Sequence, residues 1–403
     1  MALTERTLVF QSASRGVVDP HRSMRDYDAE ADLMLLHFGP QHPSTHGVFR
    51  MDLHLDGEII VKATPYLGYL HRAVEKLCEQ LTYVQQTPIV DKNDYVAPMT
   101  NELALNMAFE KLLGVEVPRR ARYLRTLFAE LQRIASHLLW LGTFALDLGG
   151  ALGGGSTLFL HCFRERELIL DLFEEVTGAR FHYTTHTIGG NRHDVPAGFG
   201  DKVKAALQTI EARIAEYEDL SLGNGVFVMR SERVGVLDGE LALELGISGP
   251  ILRACGIDHD LRRDAPYAAY DELAVNVAVG SGGDCLARAK VRFAEMRESL
   301  RLVRAALDGL PEGPICGYKP IRQPTQATAT GGQVYVGIET PRGELGTFVI
   351  GGGDPPTCPH RLKIRPPSLH ALSALPYILP GATVSDAVAI LGSLDPIMGE
   401  VDR

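Results

Sequence analysis

The chain is 403 residues long, 45% hydrophobic and 22% charged, with a formal net charge of −10. That length can bury a large core in two or three layers or domains. The composition is that of a folded soluble protein, and the acidic balance argues against a general nucleic-acid binder. Cysteines stand at 78, 162, 255, 285, 316 and 358. None falls in a Cys-x-x-Cys pair that could grip zinc or an iron–sulfur cluster, so they are expected to be small buried apolar residues in a reducing cytoplasm.

Residues 1–35 are polar, lack strong periodicity and read as an arm, mobile or held by a partner. Its opening, Met1-Ala-Leu-Thr-Glu-Arg, has no apolar stretch of the signal-peptide kind. Residues 36–100 form an N-terminal α/β region. Within it, 48–55 and 58–63 flank Asp56-Gly57, a strong hairpin signal. Residues 101–310 read as a helical bundle. Apolar spacing predicts a helix over 101–113, and Pro118 opens a second one to about 146, placed where a missing N–H does little harm. Further helices are predicted over 164–177, 201–220 and 284–310, with Glu295, Arg297, Glu298 and Arg301 as a solvated charged face on the last.

Between 138 and 160 the only charge is Asp147. The same stretch holds six glycines, three of them consecutive at 153–155. A membrane-spanning helix needs roughly 20 apolar residues without interruption, and glycines disfavour that continuity. The expectation is a buried helix end followed by a loop, with any membrane association made through partners. After Pro311 the composition shifts to a C-terminal α/β region, 311–403, where 334–338 and 346–350 flank Pro341-Arg342-Gly343 as a hairpin. The fold class is α+β, mostly helical: a central helical bundle with small flanking sheets.

Several constellations could carry chemistry. Gly39-Pro40-Gln41-His42-Pro43-Ser44-Thr45-His46-Gly47 places two histidines four apart. On a helix that spacing could hold a metal, but Pro43 opposes a helix and no Glu lies between them. A loop histidine that donates a proton near neutral pH is the functional alternative to a packed one. Asp94-Tyr95 offers a hydroxyl donor with an ordinary pKa near ~10, against the commoner role of tyrosine in packing. Asp147 is a carboxylate in an apolar run and needs a partner, because burying it unpaired is costly. Gly189-Gly190 is not a phosphate cradle, since no Lys-Ser/Thr follows.

The chain ends Asp395-Pro396-Ile397-Met398-Gly399-Glu400-Val401-Asp402-Arg403. This resembles the close of the nickel-iron hydrogenase large subunit, Asp-Pro-Cys-x-x-Cys, with Ile397 and Glu400 where the metal-binding thiolates would be. Isoleucine cannot ligate a metal. The Gly-Glu-Val-Asp-Arg ending is similar to that of the 49 kDa subunit family of respiratory complex I (the D subunit of NADH–quinone oxidoreductase). The resemblance extends over about 33–403, through the Gly-Pro-Gln-His loop, Gly68-Tyr69-Leu70-His71-Arg72-Ala73-Val74-Glu75-Lys76, Asp94-Tyr95, Arg133 to Gly149, Phe181-His182, Pro341-Arg342-Gly343 and Lys363-Ile364-Arg365-Pro366-Pro367-Ser368.

That resemblance implies a hydrogenase-large-subunit-like fold without its metal centre. His46 and Tyr95 would bind and protonate a quinone headgroup, with Asp147 orienting His46. Arg72 and His182 would lie beside the terminal iron–sulfur cluster of a neighbouring small subunit and tune its potential. The chain would hold no metal or cofactor of its own, while FMN, NADH and the clusters sit on partner subunits. Partners implied are the small, cluster-bearing B subunit, the C subunit and the membrane-embedded H subunit of complex I. The location implied is the cytoplasmic side of the cell membrane, in a proton-translocating enzyme that reduces ubiquinone or menaquinone. The chain departs from the family at a lengthened loop over 149–156 and at His186-Thr187-Ile188-Gly189-Gly190, where the family reads Ile-Arg-x-Gly-Gly. Rival readings are a non-catalytic scaffold or assembly paralogue, a divergent second copy, and the quinone subunit of a related complex fed by another donor.

Overall fold

A computed structural model describes residues 33–40, 46–149, 155–318 and 329–403. A three-stranded antiparallel sheet comes first: β1 (Met34–Phe38), β2 (Arg50–Asp56) and β3 (Ile59–Tyr66), in that order. The Asp56-Gly57 hairpin is present, with Asp56 paired to Ile59 and Gly57 at a φ of 63°. β1 was not expected; it begins at Met34, inside the stretch read as an arm, and residues 1–32 of that arm lie outside the described residues.

Five helices make the bundle: α1 (Pro98–Leu113), α2 (Arg119–Gly149), α3 (Gly155–Thr177), α4 (Phe199–Ser221) and α5 (Cys285–Asp308). α2 is the axis. Its 31 residues span about 46 Å at ~1.5 Å per residue. It packs along α3 and α5, burying Leu124, Leu127, Phe128, Leu131, Ile134, Leu138, Trp140 and Phe144 in one continuous core. α3 starts nine residues earlier than expected because Leu158 and Cys162 are buried against α2, and that packing outweighs glycine's poor helix propensity. Residues 150–154, where the loop was expected, lie outside the described residues. α5 is capped by Asp284, whose carboxylate accepts from the Ala287 N–H at 2.7 Å.

The C-terminal region adds a second antiparallel sheet: β4 (Gln333–Thr340), β5 (Gly343–Ile350) and β6 (Arg361–Arg365). It packs on α1 and encloses a second apolar cluster that includes Phe109, Ile338, Leu345 and Ile364. Thr340 pairs with Gly343, so Pro341 and Arg342 form the two-residue tip of this hairpin. Two last helices follow, α6 (Val384–Leu394) and α7 (Met398–Asp402). The fold is α+β, and among the described residues no helix is long and apolar enough to cross a membrane.

The solvated charged face expected on α5 holds for Arg297 and Arg301 only. Glu295 and Glu298 are not on a solvated face; both are buried, at 1% and 8% exposure. Glu295 accepts from Arg253 Nη2 at 2.6 Å and lies 2.9 Å from His137 Nε2, and Glu298 accepts from the Asn276 N–H at 2.8 Å. The cation that draws Glu295 inward, Arg253, comes from another element, which charge spacing along one helix cannot reveal; Glu298 keeps Arg301 of its own helix at 2.5 Å and is covered by the Asn276 segment.

Candidate functional site

A turn over residues 91–95 gathers most of the candidate residues. The short helix Thr87–Val90 ends there, with the Asp91 N–H bonded to the Thr87 carbonyl at 3.0 Å. Asp94 then folds the chain into α1. Its Oδ1 accepts from the Val96 and Ala97 N–H groups, both at 3.1 Å, an Asx-type turn that satisfies donors at the helix start.

Each side chain of this turn engages a different part of the molecule. Asp91 Oδ2 is 3.1 Å from His182 Nδ1. Asn93 Oδ1 accepts from Arg72 Nη2 at 2.8 Å. Asp94 Oδ2 accepts from Arg342 Nη1, at the β4–β5 hairpin tip, at 2.7 Å. Tyr95 is partly buried beside them. Burial pushes its hydroxyl pKa up, and the Asp94 carboxylate adds to the shift. It therefore remains a protonated donor throughout the neutral range.

The C-terminal segment forms the other side. Arg342 bridges to it, donating to the Asp395 carbonyl at 3.1 Å and to Asp395 Oδ1 at 3.2 Å. Gly399 lies against the turn. A Cβ built there would sit 2.8 Å from the Asn93 carbonyl oxygen and 3.4 Å from the Tyr95 ring, so a side chain would clash with the backbone of the turn. Ile397 and Glu400, which stand where thiolates would be in a hydrogenase, are both buried. Glu400 accepts from the Ser368 hydroxyl, while its other oxygen has no partner. Burial and the nearby Asp94 carboxylate push Glu400 up to about 8. Among the described residues, no three His, Cys, Asp or Glu side chains converge as a metal site.

His46 and Asp147 are brought together at 3.2 Å, Nε2 to Oδ2, each about nine-tenths covered. His46 follows β1 in a left-handed conformation, φ 48°, next to the fully buried Phe49. Asp147 comes from the last turn of α2 and is wedged against α6: a Cβ at Gly392 would lie 2.6 Å from its Oδ2. Trp140, about two turns earlier on the same face of α2, donates its indole N–H to the Gly392 carbonyl at 2.9 Å and fixes that approach. Gln41 to Thr45, including His42, lie outside the described residues.

Arg72 and His182 sit toward the surface. His182 adopts φ 60° beside Phe181, which is half exposed. The Arg72 N–H donates to the carbonyl of Arg403 at 2.9 Å, and the Asp402 carboxylate accepts from the Gly68 and Leu70 N–H groups at 2.7 Å each. The C-terminus thus clamps the exposed Tyr66–Leu70 stretch. Where the family has Ile-Arg-x-Gly-Gly, Thr187 offers its carbonyl to Arg125 at 2.9 Å, and His186 is buried with Nδ1 2.8 Å from Asn191 Oδ1. Burial and Arg125 push His186 down to about 3, so it is neutral.

Sequence reasoning missed Asp91, Glu102 and the bridging role of Arg342. One signal was available: Asp91-Lys92-Asn93-Asp94 puts two carboxylates three residues apart just before an apolar helix, a density that burial makes costly.

Comparison with known proteins gives the family. Residues 153–403 match the sequence model of the family described as respiratory-chain NADH dehydrogenase, 49 Kd subunit. The chain is 45% identical over 392 residues to the second of the D subunits of NADH-quinone oxidoreductase in Rhizobium etli, covering 92% of this chain and 95% of that protein. It is 43% identical over 396 residues to the D subunit of NADH-quinone oxidoreductase from Geotalea uraniireducens, covering 93% and 100%. With the D subunit from Geobacillus thermodenitrificans it shares 46% identity over 370 residues, covering 92% and 98%. The chain belongs to the family of the 49 kDa subunit of respiratory-chain NADH dehydrogenase.

Proposed function

We propose that this chain serves as the D subunit of a proton-translocating NADH–quinone oxidoreductase and forms one wall of its quinone cavity. The small B subunit, which carries the terminal iron–sulfur cluster, forms the other wall. NADH, FMN and the remaining clusters are held by other subunits, and the C subunit and the membrane-embedded H subunit complete the surroundings of this chain. The complex sits at the cytoplasmic side of the cell membrane, and this chain reaches the membrane only through its partners.

In this reading the quinone lies between Tyr95 and the His46–Asp147 pair. The partner subunit's cluster would supply the two electrons, one at a time. The Tyr95 hydroxyl gives a proton to one quinone oxygen and protonated His46 gives a proton to the other, so quinone leaves as quinol. The tyrosinate and the neutral imidazole are then reprotonated. Asp147 favours the charged imidazolium, because an adjacent carboxylate stabilises it. Arg72 and His182 face the cluster, where a positive charge favours the added electron.

The observation that carries this reading is the 91–95 turn. One short segment joins Arg72 and His182 at the surface to Tyr95 at the relic metal site, so donor side and acceptor side share a rigid connection. The test is quinone reduction by the assembled complex. His46→Ala and Tyr95→Phe are expected to slow it, while reduction of the terminal cluster by NADH proceeds at the parental rate. Parental quinone turnover in both variants would remove this chain from the quinone site.

A further inference from the structure

Behind His182 lies a buried pair of carboxyl groups that the quinone chemistry does not use. Asp91 and Glu102 are both 0% exposed. Their carboxyls meet in hydrogen-bonding contact. Two carboxylates cannot hydrogen-bond to one another, because neither has a donor. The donors around them do not fill the gap. Glu102 Oε2 accepts from the His186 N–H at 2.8 Å, but Glu102 Oε1 and both oxygens of Asp91 have no partner that donates in good geometry. A proton on one of the two carboxyls supplies the missing donor.

We propose that Asp91 and Glu102 together form a proton-binding site: Glu102 is a neutral carboxylic acid that donates its hydrogen bond to ionised Asp91, and Asp91 is the counter-ion of His182.

Burial assigns the proton to Glu102. It is enclosed within α1, with backbone N–H groups of Thr185 and His186 beside it, and burial followed by the Asp91 charge pushes its pKa well up. Asp91 is raised less, since His182 and Lys92 face it and favour its charge. From the loop after α3, Tyr183 also faces the pair; burial pushes its pKa up and it stays neutral, within the field of Arg166 and Arg180. His186 is neutral. The side chain that can exchange a proton between this pair and the surface is therefore His182, itself about one-quarter exposed. Asp91 and Glu102 are positioning residues: they set the charge of His182 without touching the quinone or the cluster.

The test has two readouts on the purified complex. The first is the infrared carbonyl stretch of buried carboxylic acids, taken as the parent-minus-variant difference at neutral pH. Glu102→Gln is expected to remove one component, while Asp91→Asn keeps that component and shifts it. Its persistence in Glu102→Gln, or its absence from the parent, overturns the proposal; so does an unshifted component in Asp91→Asn, which decides the matter should the glutamine variant fail to assemble. The second readout is the pH profile of the terminal cluster's midpoint potential, which rests on the proposed position of His182 beside that cluster. Asp91→Asn is expected to move the break in that profile to lower pH by about one unit or more, the loss of an adjacent counter-ion. An unmoved break overturns the counter-ion role. Should His182→Met leave the parental pH slope intact, it is the cluster-facing reading of His182 that fails, and the infrared component alone decides the proton site.

Discussion

Two buried charge clusters in this chain are built on different principles. In one cluster, Glu130, Asp260, Glu295 and Glu339 are met by Arg133, Arg253 and Arg262 and by His137. Arg253 alone reaches Glu295 at 2.6 Å, Glu339 at 2.8 Å and Asp260 at 3.4 Å. Burial pushes Glu295 up, but Arg253 and His137 reverse it and hold that carboxyl well below its ordinary value. In the other cluster, Asp94, Asp395 and Glu400 share Arg342 as their hydrogen-bonded or nearby cation, and the Asp91–Glu102 pair has His182 in contact and the charge of Lys92 nearby. There burial and like charge win, and Asp91, Asp94, Glu102 and Glu400 are all raised. The first cluster is rich in arginine and fixes how the elements dock; Glu130, Asp260 and Glu295 are held below their ordinary values there, and Glu339 alone of the four is raised, by burial. The second is short of cations, and burial holds its carboxyls above their ordinary range.

The largest expected effect comes from breaking the arginine-rich cluster. Arg253→Met leaves Glu295 and Glu339 buried beside a methyl group and is expected to destabilise the fold by about 3–5 kcal/mol. Loss of the assembled complex on native gels would register it; normal assembly with unchanged thermal stability would mean the network is dispensable. A second break concerns His46. His46→Ala is expected to slow quinone reduction by about a hundredfold or more. Asp147→Asn acts through the same imidazole, so the double variant should lose less than the product of the two single effects. Fully multiplicative losses would separate the pair that the 3.2 Å contact joins.

A smaller effect sharpens the contrast through pH. Glu400 is raised to about 8 in the folded chain, so it keeps its proton where an unfolded chain has released it. Its contribution to stability is full below the ordinary carboxyl range and is lost as pH rises through about 8. Glu400→Gln cannot ionise, and is expected to flatten that decline and gain roughly 1–3 kcal/mol at pH 8. Thermal stability of the assembled complex against pH, parent beside variant, would show it; parallel curves would place the proton elsewhere. The smallest effect is at Arg297, which lies on the same helix as Glu295 but pairs with Glu218 at the surface. Arg297→Ala should change stability by less than about 1 kcal/mol, and a larger change would blur the line between solvated and buried charge on α5.

The sequence made the local structure legible where the signal was local. Asp56-Gly57 marked the first hairpin, and Pro341-Arg342-Gly343 marked the second. Helical spacing located α1, α2, α4 and α5 to within a few residues. It failed where long-range packing decides. α3 extends back to Gly155 because Leu158 and Cys162 meet α2. Glu295 is buried because Arg253, 42 residues earlier in the chain, turns toward it. The site shows the same division. No periodicity connects His46 to Asp147 or His182 to Asp91; family resemblance pointed to His46, Asp147 and His182, and nothing in the sequence reading pointed to Asp91 or Glu102. Buried carboxyls short of cations leave no pattern of opposite charges to find.

The difference between the two clusters can be put to one paired measurement, because each has a tyrosine at its edge. Tyr270 donates its hydroxyl to Glu130 in the arginine-rich network, and Tyr95 stands beside Asp94 in the cation-poor one. In the assembled complex, Tyr270→Phe should lower thermal stability and leave quinone turnover per complex at the parental rate. Tyr95→Phe should leave stability and cluster reduction unchanged and slow quinone reduction on the order of a hundredfold, the loss of one donor from a preorganised site. Parental quinone turnover in Tyr95→Phe, with short- and long-chain quinones alike, would contradict the account.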